Sequence, residues 1–470
     1  MSAMAILGFA LPTLAAWLVL DRYWPGRTGY WPDRLMQAAL AWPLAAGFGS
    51  AFYFLWALLF TPSGRMMVWV ETALLAVVIV VLTYLLIKRR LSRSSEAPWE
   101  QDALNRSGRS LRRDVIPTIA IVATGVAAVF AFVNFLFRNP HGLWDAWAIW
   151  NLRARFLYRS AEHWTNTFSD QLFWSSPDYP LCLPGMVARC WKYAGNESVW
   201  VPMLAALLFS AATALLLGAS LARLSGTRGA ALGVVALLGT PLFMRHGASQ
   251  YADIPLAFFF LATVVLLSIY ARDGHRRWLV MAGTAASLAV WTKNEGLVFL
   301  LAVAVVAATL GARTTGRRRL LSNWGPLLAG AAPALGLLIV FKAFFAPADG
   351  FFSIQDTAAI WDKLTDPARY WTVLQAFGRQ ILFYGDGMAL AMVGLLVLAW
   401  PPPKAGGRRN LAPGLVILAV MIAAYFVIYI ITPQNLSWHL RTSIHRVLLQ
   451  LWPTALFVFV RFVVGDREPD

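Results

Sequence analysis

The sequence predicts an all-α polytopic membrane protein, and three features of its 470 residues lead to this class. Apolar residues make up 59% of the chain and charged residues only 13%, about half of the charged share usual in soluble domains. The apolar residues cluster in runs of about 18 to 22, each long enough to cross about 30 Å of hydrocarbon as a helix. The mean hydropathy of +0.59 agrees with a chain that lies mostly in the bilayer.

The apolar runs predict about thirteen spans. They lie near residues 3–20, 35–60, 67–88, 115–137, 199–222, 229–246, 254–271, 278–291, 296–311, 325–345, 378–399, 412–432 and 446–464. A further segment at 179–195 is too short to span comfortably, and Pro184 should kink or end a helix there. We expect that segment to lie along the interface. The first run lacks a basic flank and an Ala-x-Ala site, so we expect no cleaved signal peptide.

The basic clusters predict the orientation of these spans. They are Lys88 to Arg90, Arg112-Arg113, Arg223 with Arg228, Arg272 to Arg277, Arg313 to Arg319 and Lys404 to Arg409. If the spans alternate, all of these clusters fall on one side, and short loops rich in Lys and Arg are typical of the cytoplasm. The net charge of +17 therefore indicates contact with anionic headgroups rather than with nucleic acid.

Composition also divides the chain. The stretch 91–114 is polar and basic and predicts a cytoplasmic linker between an accessory N-terminal transmembrane unit, 1–90, and a larger module, 115–464, followed by a cytoplasmic tail at 465–470. The two long outer connections, 138–198 and 346–377, are rich in aromatic and polar residues. We expect a site on that outer side, because the inner loops are short and basic.

Several ionisable residues fall at the outer ends of predicted spans, although up to about 300 residues separate them in the chain. They are Asp145, Asp253, Lys293, Glu295, His445 and Arg446. Ionisable groups at membrane depth usually pair or line a cavity, so we expect them to converge. Carboxylates beside Lys and Arg can supply a general base and an anion clamp. Neighbouring residues expected to line the same cavity are Trp144, Arg153, Asp178, Tyr179 and Tyr251.

Each of these residues also has a structural interpretation. Asp145 and Asp253 suit helix caps, and Lys293 with Glu295 suits a local ion pair in a tight turn. Arg446 suits a side chain that snorkels to the interface. Individually the signals are weak, and their convergence on one face favours the functional interpretation.

The sequence gives no functional indication for the two cysteines, Cys182 and Cys190. They lie eight residues apart in a predicted helix, which is too far for a disulfide within it. We expect both to contribute apolar packing.

The order of the motifs resembles the GT-C class of membrane glycosyltransferases, in particular the protein O-mannosyltransferase and aminoarabinose-transferase branch. The motifs are an acidic residue after the first core span, a Tyr-Pro-Leu-x-x-Pro segment from Tyr179, "YADIPLAFF", "WTKNEG" and a late Arg before a Leu-rich span. The resemblance covers roughly 115–464. It implies a GT-C-like bundle, here of about 13 transmembrane helices, with an outer-face loop region that carries short interfacial helices.

The resemblance also implies roles. Enzymes of this class use a polyprenyl-phosphate sugar as donor and act on the extracytoplasmic face. By position, Asp145 corresponds to the catalytic acidic residue, interpreted as a general base, and Asp253 to a second acidic residue of the same site. Lys293 and Arg446, with His445 beside them, correspond to the groups near the lipid phosphate.

Three departures from the family pattern leave the substrate open. The usual Thr-Lys-Gly is Thr-Lys-Asn-Glu-Gly here, the usual Pro-Pro-Leu is Ser-Pro-Asp-Tyr-Pro-Leu, and the usual Arg-Tyr is Arg446-Val447. Asp145 has no adjacent acidic partner, so a divalent metal is not indicated, and no cofactor is certain.

The sequence thus predicts a multi-pass glycosyltransferase of the cytoplasmic membrane. It would move a sugar to an acceptor hydroxyl at the periplasmic face with inversion, and the acceptor could be a lipid, a glycan or a protein. A flippase for a lipid-linked sugar is an alternative, disfavoured because the charges lie at outer helix ends and no inverted repeat is found. A non-catalytic subunit of an envelope-polymer assembly is another.

Overall fold

A computed structural model describes residues 3–26, 29–61, 64–93, 111–312, 317–348, 356–383, 387, 394 and 411–466. Within these residues the chain forms helices and no β-strand, which confirms the all-α class. Nine of the helices in this part of the chain are long and apolar enough to cross a membrane. The predicted span at 378–399, the basic cluster at 404–409 and most of the linker at 91–114 lie outside the described residues, so the count of thirteen stays a prediction.

The helices are numbered in chain order. The first group is α1 (Ala3–Tyr23), α2 (Trp31–Leu59), α3 (Met66–Arg93), α4 (Leu111–Arg138), α5 (Asn151–Arg159), α6 (Cys182–Ala194), α7 (Trp200–Leu238) and α8 (Pro241–Ala248). The second group is α9 (Asp253–Asp273), α10 (Arg276–Thr292), α11 (Glu295–Ala312), α12 (Arg317–Phe344), α13 (Thr357–Thr365), α14 (Pro367–Leu382), α15 (Ala412–Ile431) and α16 (Leu436–Val464). A π-helical turn at Ala146–Trp150 and 3-10 helices at Ala161–Phe168 and Asp170–Ser175 complete the connection between α4 and α6.

Helix α7 contains the turn between two predicted spans. Gly226 interrupts the helix with a φ of +87°, a conformation that favours glycine. The halves on either side of it pack together: a Cβ at Gly218 would lie 2.8 Å from Cγ2 of Val234, and one at Gly233 would meet Leu221. The two halves are therefore antiparallel, and the second half continues toward α8.

Helix α9 lies at the centre of the bundle. Its residues from Asp253 to Ile269 are all buried, and the helix packs against α7, α10 and α16. A helix that is apolar on every side is typical of such a central position. This packing holds the polar first turn of α9 among the ends of several other helices.

Helices α1 to α3 share an interior with the rest of the chain. Helix α2 packs against α6 and α7, and Ser50 Oγ donates to the carbonyl of Leu181 at 2.6 Å. Arg189 in α6 is buried and donates from Nε to the two carboxylate oxygens of Glu71 at 2.7 and 2.9 Å. Its Nη1 donates to the carbonyl of Gly8 at 2.8 Å, so this one side chain joins α6 to α1 and α3.

The helix ends predicted to be cytoplasmic meet at one end of the bundle. Arg223 Nε lies 3.3 Å from an oxygen of Asp33, and its Nη2 lies 3.8 Å from Asp273. Arg277 donates to the carbonyl of Tyr23 at 3.5 Å. These contacts bring together ends of α1, α2 and α9, the start of α10 and the turn in α7. The assignment of this end to the cytoplasm stays a prediction.

Candidate active site

Five charged side chains from well-separated segments meet at the opposite end of the bundle. They are Asp145, Asp253, Lys293, Glu295 and Arg446, named here the Asp253 cluster. Asp145 and Arg446 are 301 residues apart in the chain and form an ion pair. The cluster contains five of the six ionisable residues that the apolar-run pattern selected.

Asp253 is the centre of the cluster. It lies in the first turn of α9, where the helix dipole favours an anion, and its side chain is fully buried. Its Oδ1 is 3.1 Å from Nζ of Lys293 and accepts from Nε2 of Gln450 at 2.8 Å. Its Oδ2 accepts from Nε of Arg446 at 3.0 Å. A buried carboxylate needs charged or hydrogen-bonded partners, and Asp253 has them on both oxygens.

The turn between α10 and α11 presents Lys293 and Glu295 on one side. Lys293 follows the last residue of α10 in an extended conformation, and α11 begins at Glu295. Gly296 allows the two helices to lie close, because a Cβ there would collide with the backbone of Ala289 and Val290. Lys293 Nζ therefore reaches Oε1 of Glu295 at 2.8 Å.

The protonation of Lys293 follows from these contacts. Burial disfavours the ammonium, but the carboxylates of Asp253 and Glu295 outweigh burial and hold the pKa of Lys293 above its ordinary value. Lys293 is thus a permanent cation at neutral pH. The local Lys293–Glu295 pair exists, and it is one part of a larger charged array.

Arg446 and Gln450 lie one turn apart on α16 and both face Asp253. Arg446 also pairs with Asp145, and its guanidinium lies 4.9 Å from the ring centre of Tyr251. Gln450 accepts from the hydroxyl of Tyr425 at 2.6 Å through its Oε1. The pattern of charges in apolar runs did not indicate Gln450 or Tyr425. A polar residue four positions after Arg446 in an apolar helix was a signal that could have found Gln450.

The predicted cavity residues Asp178 and Tyr179 lie beside the cluster. Asn294 Nδ2 donates to Oδ2 of Asp178 at 2.6 Å, and Lys342 Nζ donates to the Asp178 carbonyl at 2.6 Å. The Tyr179 ring stacks on Trp150, and its centre lies 5.7 Å from Nζ of Lys293. Burial raises the pKa of the Tyr179 phenol, so the ring meets the lysine as a neutral group.

Arg153 lies behind this segment. It is fully buried and donates to the carbonyls of Ser176 at 3.4 Å and Pro177 at 3.3 Å. Burial lowers the pKa of Arg153 to about 10, which still leaves it charged at neutral pH. Arg153 therefore holds the backbone that precedes Asp178, and its predicted contact with substrate stays untested.

The remaining predicted residues flank the cluster. The ring centre of His445 lies 5.5 Å from that of His246. Tyr251 lies under Arg446, as described above. Trp144 is 60% exposed and packs edge-on against Trp147 at 4.6 Å between ring centres. Trp144 thus lies at the surface next to Asp145.

Access to the cluster is uneven. The side chains of Asp145, Glu295 and Arg446 are 13%, 17% and 20% exposed, whereas Lys293 and Asp253 are 7% and 0% exposed. A ligand would therefore reach the first three groups, with Asp253 and Lys293 behind them. The three carboxylates and two cations leave one surplus negative charge.

An open groove lies next to His445, between α4, α8, α16 and the ends of α7 and α14. Its empty volume is about 1470 Å³. Its walls are mainly apolar, with cationic or polar groups among them. The lining includes Phe132, Phe135, Leu238, Leu242, Met244, Arg245, Gln380 and His445.

Across the described ranges, no group of three or more His, Cys, Asp or Glu residues has the arrangement of a metal site. Cys182 and Cys190 are both buried and free, as expected for packing residues.

Comparison with known proteins gives a family match. Residues 179–345 match the family model described as dolichyl-phosphate-mannose-protein mannosyltransferase. This region contains Asp253, Lys293 and Glu295, whereas Asp145 and Arg446 lie outside it. No curated protein sequence matches the chain.

Among solved structures, the chain is similar to the crystal structure of ArnT from Cupriavidus metallidurans bound to undecaprenyl phosphate. The sequences are 17% identical, the TM-score is 0.48, and the match covers 72% of this chain and 59% of that one. The chain thus spans about three fifths of the length of that protein. The family match over residues 179–345 confirms the resemblance to the GT-C membrane glycosyltransferases that the motifs carry.

Proposed function

We propose that the protein transfers a sugar from a polyprenyl-phosphate donor to an acceptor hydroxyl at the extracytoplasmic face of the cytoplasmic membrane. The family description supports a lipid-phosphate donor, because it names dolichyl-phosphate-mannose. The observation that carries the proposal is the position of Arg446, which bridges the buried Asp253 and the more accessible Asp145.

This geometry suits glycosyl transfer. The bond between the anomeric carbon and the phosphate oxygen breaks through an oxocarbenium-like state, and the polyprenyl phosphate leaves as an anion. A partly exposed guanidinium such as Arg446 stabilises that developing charge. Asp145, on the other side of Arg446, accepts the proton of the acceptor hydroxyl as its oxygen bonds to the anomeric carbon. Direct displacement inverts that carbon.

Lys293 acts indirectly in this proposal and does not contact the phosphate. Its ammonium is committed to Asp253 and Glu295 and is nearly buried, so Arg446 is the cation that meets the phosphate first. Lys293 neutralises Asp253, which would otherwise cancel the charge of Arg446. Removal of Lys293 should therefore weaken phosphate binding without removing a direct contact.

The open groove supports a lipid-linked substrate. Its apolar walls suit a hydrocarbon chain, and its lining includes His445, next in sequence to Arg446. An amphiphile with its chain in the groove would bring its phosphate toward Arg446.

The test compares Asp145→Asn with Asp170→Asn, an exposed acidic residue of the same outer connection. Purified protein in nanodiscs is given a panel of polyprenyl-phosphate sugars, and turnover and donor binding are followed by mass spectrometry. General base catalysis contributes about 10²- to 10⁴-fold, so Asp145→Asn should lose at least about 100-fold in turnover and bind donor within about threefold of wild type. Asp170→Asn should match wild type. Unchanged turnover in Asp145→Asn would refute the assignment of the base. Lipid translocation without sugar transfer would favour a flippase instead.

A further inference from the structure

We infer that Glu295 recognises the sugar of the donor by accepting a hydrogen bond from one of its hydroxyl groups. This inference rests on the proposed function and deepens it. Glu295 would then be a residue that determines sugar specificity, rather than only a partner that holds Lys293.

The two oxygens of Glu295 differ in their contacts. Oε1 lies 2.8 Å from Nζ of Lys293 and 3.4 Å from Nε2 of Gln450. Oε2 is buried and has no hydrogen-bond partner among the residues that the structure describes. A buried polar atom of this kind is normally hydrogen-bonded, and its exceptions call for an explanation.

The neighbouring donors are already used. Lys293 serves Asp253 and Oε1 of Glu295, and the Gln450 amide serves the same two groups. The hydroxyl of Tyr425 donates to Oε1 of Gln450. None of these groups donates a hydrogen bond to Oε2 in this arrangement, so a bound ligand is the candidate donor.

The adjacent residue of the same turn has a similar feature. Asn294 uses its Nδ2 to hold Asp178, and its Oδ1 is buried without a hydrogen-bond partner in the described part of the chain. Consecutive residues of one turn therefore each present an unused acceptor. A sugar, which carries several hydroxyl donors on one small ring, has the chemistry to satisfy such acceptors.

The charges decide which part of the donor binds here. The cluster runs in the order Asp145, Arg446, Asp253, Lys293, Glu295, with alternating sign and a carboxylate at each end. An anionic phosphate is attracted to Arg446, the more exposed of the two cations, whereas the carboxylate of Glu295 repels it. A neutral hydroxyl is accepted at the Glu295 end. The Glu295 side chain is 17% exposed although Oε2 itself is buried, so the inferred contact requires the carboxylate to turn Oε2 toward the ligand.

The test measures the binding of two lipids to Glu295→Gln, with Glu162→Gln, an exposed glutamate of the outer connection, as the matched control. The lipids are polyprenyl phosphate alone and the polyprenyl-phosphate sugar that wild type binds best. A hydrogen bond to a charged group predicts a loss of about tenfold or more for the sugar-bearing lipid. Polyprenyl phosphate alone should bind no more weakly than it does to wild type, because the substitution removes a negative charge from the cluster.

Two further measurements complete the test. Among deoxy analogues of the sugar, one should bind wild type about tenfold more weakly than the parent and bind Glu295→Gln as the parent does. Glu295→Asp keeps the charge beside Lys293 but withdraws the carboxylate, so it should show the same selective loss even if Glu295→Gln folds poorly.

Equal weakening of both lipids would overturn the inference, because Glu295 would then act only through Lys293. Unchanged binding of both lipids would overturn it as well. If wild type binds no sugar-bearing lipid, the proposed function itself fails, and that result is visible before any variant is made.

Discussion

Replacement of Asp253 by Asn should destabilise the protein more than any exposed Asp→Asn change. The substitution keeps the shape of the side chain but removes the charge shared by Lys293 and Arg446, and Asp253 is fully buried, so water does not screen the loss. Removal of one member of a buried ion pair typically costs about 3–5 kcal/mol. Asp145 and Glu295 still pair with the two cations, so we expect a value near the lower limit, about 3 kcal/mol.

The assay is thermal unfolding in nanodiscs, followed by tryptophan fluorescence. A loss of about 3 kcal/mol corresponds to a fall of about 3 °C in the unfolding midpoint for a chain of 470 residues. Asp362→Asn, on the exposed side of α13, is the control and should leave the midpoint unchanged. Adding Lys293→Met to Asp253→Asn removes one of the two stranded cations and should recover part of the loss, with a coupling of about 1–3 kcal/mol. Equal midpoints for Asp253→Asn and Asp362→Asn, or strict additivity in the double variant, would refute this account of the cluster.

Two other substitutions test the packing that positions the site. Arg189→Met strands the buried Glu71 carboxylate and should cost about 3–5 kcal/mol in thermal unfolding, whereas Arg189→Met combined with Glu71→Leu should recover most of that loss; no recovery would contradict the ion-pair explanation. Gly296→Ala should separate α10 from α11 and reduce donor binding at least about tenfold, because its Cβ meets the backbone of Ala289. Gly336→Ala on α12, where a Cβ meets nothing within 4 Å, should leave binding unchanged, and equal behaviour of the two alanine variants would count against the close approach.

The sequence was sufficient to predict the centre of the site for a simple physical reason. Charge is costly beside hydrocarbon, so Asp253, Lys293 and Arg446 stand out from their apolar surroundings. Alternation of the spans then put these residues at the same end of the bundle, and the structure brings them into contact. The same reasoning identified the turn between α10 and α11 that contains Lys293.

Other parts of the site depend on three-dimensional packing that the pattern does not contain. Gln450 and Tyr425 are uncharged, so their burial costs less than that of a charge and they gave a weaker signal in an apolar run. Arg153 has the charge of a substrate ligand, but whether it faces a cavity or supports a loop depends on the direction of a short helix. Arg189 and Glu71 lie 118 residues apart in the chain, and nothing in the sequence around either residue predicts its partner.

The most direct test of the proposed function is release of polyprenyl phosphate by the purified protein. Wild type and Arg446→Gln, with Arg441→Gln as a control from the exposed side of the same helix, are incubated with a panel of polyprenyl-phosphate sugars. No other acceptor is added, so water takes the sugar by slow hydrolysis, and the lipid products are followed by mass spectrometry. The account predicts that wild type and Arg441→Gln bind at least one sugar-bearing lipid and release polyprenyl phosphate from it, whereas Arg446→Gln releases at least about 100-fold less. Release by Arg446→Gln at the rate of wild type, or a wild-type protein that binds and cleaves no member of the panel, would contradict it.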